Sequence, residues 1–295
     1  MGKGNTWQDL IFAVINYAIF IFICMACTYP FYYIFIYSIS DPALAMQGIT
    51  LTPRGFTTTN YEMLLRLQSI PNAFVISLLR TISGTVITVF CCAFFAYLVS
   101  LKSMWFRKFI YRFAIITMYF NAGIIPWYLT MRAIGLMDNF LLYILPSALS
   151  AFYIILCKTY IEQLPPSLAE SATVDGANIV TVFYRIIFPL SMPIMATIAI
   201  FAAIGQWNQW FDNLLLITDP KLQTLQLILY QYLNSSRALA SMSALDYASG
   251  QAANRVTPQS IQVTITMLTT LPILVVYPFF QRYFTKGIML GAVKG

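Results

Sequence analysis

The sequence predicts an all-α protein that crosses a membrane with about six helices. Of its 295 residues, 59% are hydrophobic and 9% charged, against about 25% charged in a soluble domain. The mean hydropathy is +0.73. The apolar residues gather in long runs and do not alternate with polar ones, which favours helices over a barrel, the other structure that satisfies its backbone in hydrocarbon.

Six runs reach the length of about 20 residues that a spanning helix needs. They lie near 11–37, 73–100, 109–131, 139–161, 187–217 and 260–281. The first is too long for the apolar part of a signal peptide, and "MACTYPF" offers no small-x-small site followed by polar sequence, so a retained first span is expected. With the N-terminus inside, ten of the 17 Lys and Arg fall on the inner side. Four of them sit in the short loop "LKSMWFRKFIYR", and the outer loops are much longer, so the positive-inside rule places both termini in the cytoplasm. The same layout explains the net charge of +7 through membrane lipid, without a nucleic-acid partner, because the cations are scattered over loops. Residues 38–72 and 218–259 become outer loops, and 162–186 the longest inner one. All of 1–295 reads as one transmembrane domain.

Little in the chain can do covalent chemistry. Histidine is absent, which removes the commonest general base. Cys24 and Cys27 form a C-x-x-C inside the first span, Cys91 and Cys92 lie in the second and Cys157 in the fourth, with no acid near them in sequence. Buried Cys of this kind acts as a small hydrophobe, so no metal site is expected. No G-x-x-x-x-G-K-[ST] occurs, so the chain has no phosphate loop of its own. It reads as a non-enzyme that binds no cofactor.

The inner segment "LAESATVDGANIVTVFYRIIFPLSMP" (168–193) stands out in a chain so poor in charge. Pro165 and Pro166 stop the preceding helix. Ser167 is placed to cap the next one, with Glu170 three residues on, as in a capping box. Asp175-Gly176 ends that helix, with Gly176 able to turn left-handed, and Asn178 caps a second one. Ile179, Val182, Phe183 and Ile186 recur at helical spacing, and Pro189 precedes the fifth span. An L-shaped helix pair with one apolar stripe is predicted. On pattern alone, an amphipathic connector lying on the headgroups fits equally well.

The segment resembles the cytoplasmic loop of ABC-importer permeases, E-A-A-x3-G-x9-I-x-L-P. Here it reads Glu170, Ser171, Ala172, three residues, Gly176, nine residues, Ile186, Ile187, Phe188, Pro189. Ser171 and Phe188 depart from the pattern, and neither removes the helix or the turn. Over nearly its whole length the chain is similar to the carbohydrate-importer permeases of the maltose type, second subunit. The stretches "YFNAGIIPWYL" (119–129) and "KGIMLGAVKG" (286–295) resemble the branch that works with lipoprotein oligosaccharide-binding proteins. The resemblance implies a bacterial plasma-membrane subunit of an importer for oligosaccharides or other carbohydrates. It implies a second homologous permease forming the other half of the path, an external binding lipoprotein, and two ATPase subunits that hydrolyse ATP. Glu170, Ser171, Ala172, Asp175, Gly176, Ile186 and Pro189 would then form the loop that docks on the ATPases. A secondary transporter or a membrane-assembly scaffold is the alternative. A secondary transporter places ionisable groups inside its spans, and here only Arg80 and Asp212 approach that.

A sugar path needs aromatic faces for the ring and polar partners for its hydroxyls. "GQWNQWFDNLL" (205–215) in the fifth span offers Trp207, Asn208, Trp210 and Asp212. On a continuous helix, Asn208 and Asp212 would share a face. An aromatic belt with helix-packing amides near the outer interface fits the same residues. Tyr119 and Asn121 in the third span form a second candidate, where Gly123 and Pro126 would bend the helix around the path.

Overall fold

The computed structural model describes residues 7–48, 51–234 and 258–292. Their secondary structure is helical, apart from an isolated bridge between Ser40 and Phe56. Two compact units emerge, Met1–Leu67 with Gln231–Thr270, and Gln68–Tyr230 with Leu271–Gly295.

The first unit begins with α1, Trp7–Ser38. As far as Tyr32 its apolar side chains point outward on nearly every side, Phe12 and Phe22 among them, as on a helix whose surroundings are lipid or another chain, while Ile36 and Tyr37 near its end are buried. The loop after it is ordered by polar contacts. Asp41 caps the short α2 (Pro42–Ala45) by accepting from the amides of Ala43 and Leu44. The buried Asn60 amide donates to the carbonyls of Ser38 and Ser40, both at 3.0 Å, from the start of α3 (Thr59–Arg66).

The second unit is organised around α4, Ser69–Ser100. The remaining helices are α5 (Arg107–Tyr119), α6 (Ile124–Ala133), α7 (Ala151–Ile161), α8 (Pro166–Val174), α9 (Ile179–Val182), α10 (Phe188–Leu190), α11 (Met192–Asn208), α12 (Phe211–Leu216), α13 (225–234) and α14 (Pro258–Ala292). The last two run across the boundary between the units. Cys92, Ala93 and Ala96 of α4 are fully buried with Cys157 of α7 and Ile198 of α11. Small residues let helices approach where no hydrophobic force drives them together in lipid.

Not all six expected spans form continuous helices. Among the described residues, Asp9–Ser38, Ser69–Ser100 and Gln259–Val276 are long and apolar enough to cross alone. Ile179–Leu190 with Met192–Asn208 makes a fourth crossing if that pair, bent by 82°, is one span. The predicted run 109–131 breaks between α5 and α6, where Gly123 has φ +82° and its amide bonds the Asn121 carboxamide. The run 139–161 is helical from Ala151, after a 3-10 turn at Phe140–Tyr143 and an irregular stretch containing Pro146. The run 187–217 breaks twice, at Ser191 and at Gln209–Trp210. Apolar content and length fixed where these runs lie, but proline, glycine and side-chain competition for backbone groups interrupt them. Residues 235–257 of the expected outer loop, and the last three of "KGIMLGAVKG", lie outside the described residues.

One exposed clasp joins the segment after α6 to the segment after α12. The Asp138 carboxylate accepts from the Thr218 amide and hydroxyl, both at 2.6 Å, and from the Asp219 amide at 2.9 Å. These bonds, the Thr218 hydroxyl foremost, hold the carboxyl below its ordinary value of 3.8. A depressed folded value means the clasp contributes fully above pH 3.8 and is lost as pH falls through the lower folded value. Hydrogen exchange at Thr218 and Asp219, corrected for intrinsic rate, is expected to accelerate as pH drops below about 4. In Asp138→Asn it is expected to be fast throughout.

Candidate functional site

Two arrangements stand out in the second unit, an elbow over 165–190 and a polar cavity.

The elbow starts at Pro165, which occupies the N-cap of α8 with Pro166 at the first helical position. Ser167 is therefore inside the first turn, and no side chain caps the helix. The expected Ser167–Glu170 box does not form because proline, which has no N–H to satisfy and a preset φ, takes the first position. The other end is as expected. Gly176 has φ +84°, its amide bonds the Thr173 carbonyl, and the Ala177 amide bonds the Ala172 carbonyl. Asn178 caps α9 by accepting from the Thr181 amide at 2.8 Å. Glu170, Ser171, Asp175 and Pro189 are exposed, while Ala172 and Ile186 are half-buried against the core.

The apolar stripe divides. Val182 and Phe183 are buried, but Ile179 is exposed, as are Val174, Leu168 and Val180. Phe183 lies in a π-turn over Phe183–Ile187 and is the hub of an aromatic cluster. Its ring meets Phe94 at 5.1 Å, Tyr97 at 5.5 Å and Phe90 at 5.9 Å on α4, and Phe188 at 5.7 Å on α10. The elbow is thus anchored to α4 chiefly through Phe183, with the Tyr184 ring also 5.6 Å from Phe90, while Leu168, Val174, Ile179 and Val180 face outward.

The cavity, about 810 Å³, is lined from α4, the α5–α6 break, the 142–153 stretch and the α11–α12 break. A buried ion pair lies in its wall. Arg80 of α4 reaches Asp212 of α12 through both terminal nitrogens, at 2.6 and 3.1 Å. Its Nε donates to Gln206 Oε1 at 3.0 Å, and Nη1 also donates to the Gln209 carbonyl at 3.2 Å. Its guanidinium lies 4.5 Å over the Tyr143 ring. The Gln206 amide donates to the Ser147 hydroxyl at 2.6 Å. The Tyr143 hydroxyl donates to the Leu222 carbonyl at 2.5 Å and accepts from the Asn213 amide. Gly84, one turn beyond Arg80, leaves the space that Gln206 fills, since a Cβ there would stand 2.5 Å from Gln206 Nε2.

The residues expected on the path separate. Asp212 reaches the cavity wall, and so does Asn121 from the α5–α6 break. Asn208 and Asp212 do not share a helical face, because Gln209 is extended and ends α11. Asn208 is exposed, donates back to the Ile204 carbonyl at 2.9 Å and accepts from Gln226 at 3.2 Å. Trp207 is buried, edge-on to Phe74 at 6.1 Å, beside a separate apolar pocket that also includes Leu78 and Pro272. Trp210 stacks on Tyr230 at 4.1 Å. Tyr119 is exposed at the end of α5 and is not part of the lining. Sequence reasoning missed Gln206, Tyr143 and Ser147. The absence of other charge from the spans around Arg80 and Asp212 was the one signal that could have pointed to their meeting.

No family model matches the sequence. The chain is similar to Protein LplC of Bacillus subtilis (strain 168), 35% identical over 269 residues, covering 90% of this chain and 89% of that protein. It is similar to the polygalacturonan/rhamnogalacturonan transport system permease protein YtcP of the same organism, 30% identical over 290 residues, covering 98% and 100%. Among solved structures it is similar to a bacterial ABC transporter involved in the import of the acidic polysaccharide alginate. There the TM-score is 0.84 and the identity 28%, covering 96% of this chain and 100% of that one.

Gly84→Ala is expected to displace Gln206 from Arg80 or Ser147. Leaving a buried polar group unpaired costs about 1–3 kcal/mol, read as a lower unfolding temperature in detergent. Gly205→Ala is the control, because a Cβ there meets nothing within 4 Å.

Proposed function

We propose, on the premise that this chain belongs to the family of carbohydrate ABC-importer permeases, that it moves oligosaccharides through a path shared with a second, homologous permease. It is a transporter subunit, not an enzyme. Two cytoplasmic ATPases supply the energy and hold the nucleotide, and an external binding lipoprotein delivers the sugar. The chain works as one permease domain in the bacterial plasma membrane, with both termini in the cytoplasm.

The elbow is the observation that carries this reading. A part that transmits force must be rigid and must present surface to what moves it. The Gly176 turn and the Asn178 cap fix the angle between α8 and α9. Leu168, Val174, Ile179 and Val180 are exposed around that turn, a surface for the ATPases. From there a push has two routes inward. One runs through Phe183 into α4, and the other through the bend at Ser191 into α11, which carries Gly205 and Gln206 to the cavity wall.

The cavity suits a glycan. Trp127, Tyr153 and Phe211 supply aromatic surface, and Asn121, Gln209 and Ser150 supply hydrogen-bonding groups. Its volume falls in the range of small-molecule sites, roughly 300–1,000 Å³. The relatives' names, a polygalacturonan/rhamnogalacturonan permease and an alginate importer among them, support a carbohydrate cargo.

Gly176→Val tests the reading. A β-branched side chain is strongly disfavoured at positive φ, so α8 and α9 would meet at a wrong angle. In proteoliposomes, ATP hydrolysis is expected to continue while sugar uptake falls at least about tenfold, a misplacement loss equivalent to 1.4 kcal/mol. Normal uptake by this variant would remove the elbow as the coupling element. Glu170→Ala costs α8 no cap, so any loss it causes reports a contact with the ATPase.

A further inference from the structure

The cavity wall has an electrostatic property that composition does not reveal. Of the described residues lining it, only Arg80 and Asp212 carry full charges, and they are bonded to each other. The other polar groups in the lining are neutral amides and hydroxyls. The pair is also closed to the cavity's contents. The Arg80 and Asp212 side chains are 3% and 9% exposed, and four of the five Arg80 N–H donors bond Asp212, Gln206 and the Gln209 carbonyl.

We propose that the Arg80–Asp212 pair determines the charge selectivity of this half of the path, holding its wall neutral so that it accepts uncharged glycan and offers no counter-ion to a uronate. This rests on the reading that the cavity is part of the aqueous path. A guanidinium with no carboxylate beside it would be a fixed cation in a low-dielectric wall. It would attract anionic cargo and oppose cationic cargo. Asp212 cancels that field at its source, and Gln206 and Gln209 keep the guanidinium turned toward it. The specificity therefore lies in a pair that need not touch the sugar. Either residue alone would give the opposite selectivity from the other.

The test reads the field directly, without requiring the natural cargo. Gln209, whose side chain is exposed in the lining next to the pair, is replaced by Cys in a chain without its five native cysteines. The complete importer is placed in proteoliposomes. The thiol is modified with an anionic sulfonatoethyl or a cationic trimethylammonium-ethyl methanethiosulfonate, and each rate is divided by that for a free thiol. With the pair intact, the two corrected rates should agree within about threefold, as for a site where opposite charges cancel. Asp212→Asn should shift the ratio toward the anionic reagent by about tenfold, and Arg80→Gln toward the cationic reagent by a similar factor. The double variant should return near the starting ratio, which separates charge from any change of shape. If one single variant fails to assemble, the other and the double variant still decide. Single variants that leave the ratio unmoved, or a parent ratio already tenfold from unity, would overturn the proposal. Absence of modification by both reagents in every nucleotide state would take the cavity out of the aqueous path. That outcome defeats the reading on which the proposal rests, and the proposal with it.

Discussion

A guanidinium and a carboxylate buried in a chain with so few charges impose conditions on everything around them. Each ion costs several kcal/mol to remove from water, and their attraction offsets this only with good geometry and with the remaining donors satisfied. Here the contact is two-pronged, Gln206 and the Gln209 carbonyl take further Arg80 donors, and the Tyr143 ring lies against the guanidinium face. Several features follow. Gln209 leaves the helix and turns its carbonyl to Arg80, so α11 stops there and α12 begins afresh. Residue 84 has room for nothing larger than glycine beside Gln206. The irregular stretch before α7 is held at Ser147 by the same Gln206 amide.

The pair and the elbow share a helix. Arg80 lies toward one end of α4, and Phe90, Phe94 and Tyr97, which enclose Phe183, lie toward the other. From residue 80 to residue 94, a helix rises about 21 Å at 1.5 Å per residue. Small buried residues pack the stretch between and beyond these points tightly against α7 and α11. A displacement delivered at Phe183 therefore meets a stiff rod that carries one wall of the cavity. The breaks at Ser191 and Gln209 lie at the two ends of α11, which packs against α4.

The class of protein, the approximate places of the apolar runs and the elbow were legible in the sequence. They depend on local properties, namely composition, run length, the glycine turn and the asparagine cap. The capping box failed for a local reason too, since Pro166 claims the first helical position. Which runs stay continuous was less legible. A proline or glycine in an apolar run can kink a helix or end it, and packing decides which, as at Gly123 and Pro146. The cavity wall was least legible. Arg80 and Asp212 are 132 positions apart, and nothing local to either marks the other as its partner. Asn208 and Trp207 looked like the better site residues because a continuous helix was assumed through Gln209, where the Arg80 contact helps to end it.

A double-mutant cycle on the pair tests the central claim most directly. Arg80→Met, Asp212→Leu and the double variant would be compared by thermal unfolding of the assembled importer. If the pair organises the cavity, each single variant strands a buried charge and loses about 3–5 kcal/mol. The double variant then recovers most of that loss, giving a coupling energy at least as large as a single-variant loss, about 3 kcal/mol or more. Single effects that are small and simply add in the double variant would mean that Arg80 and Asp212 act independently, and the wall would need another cause.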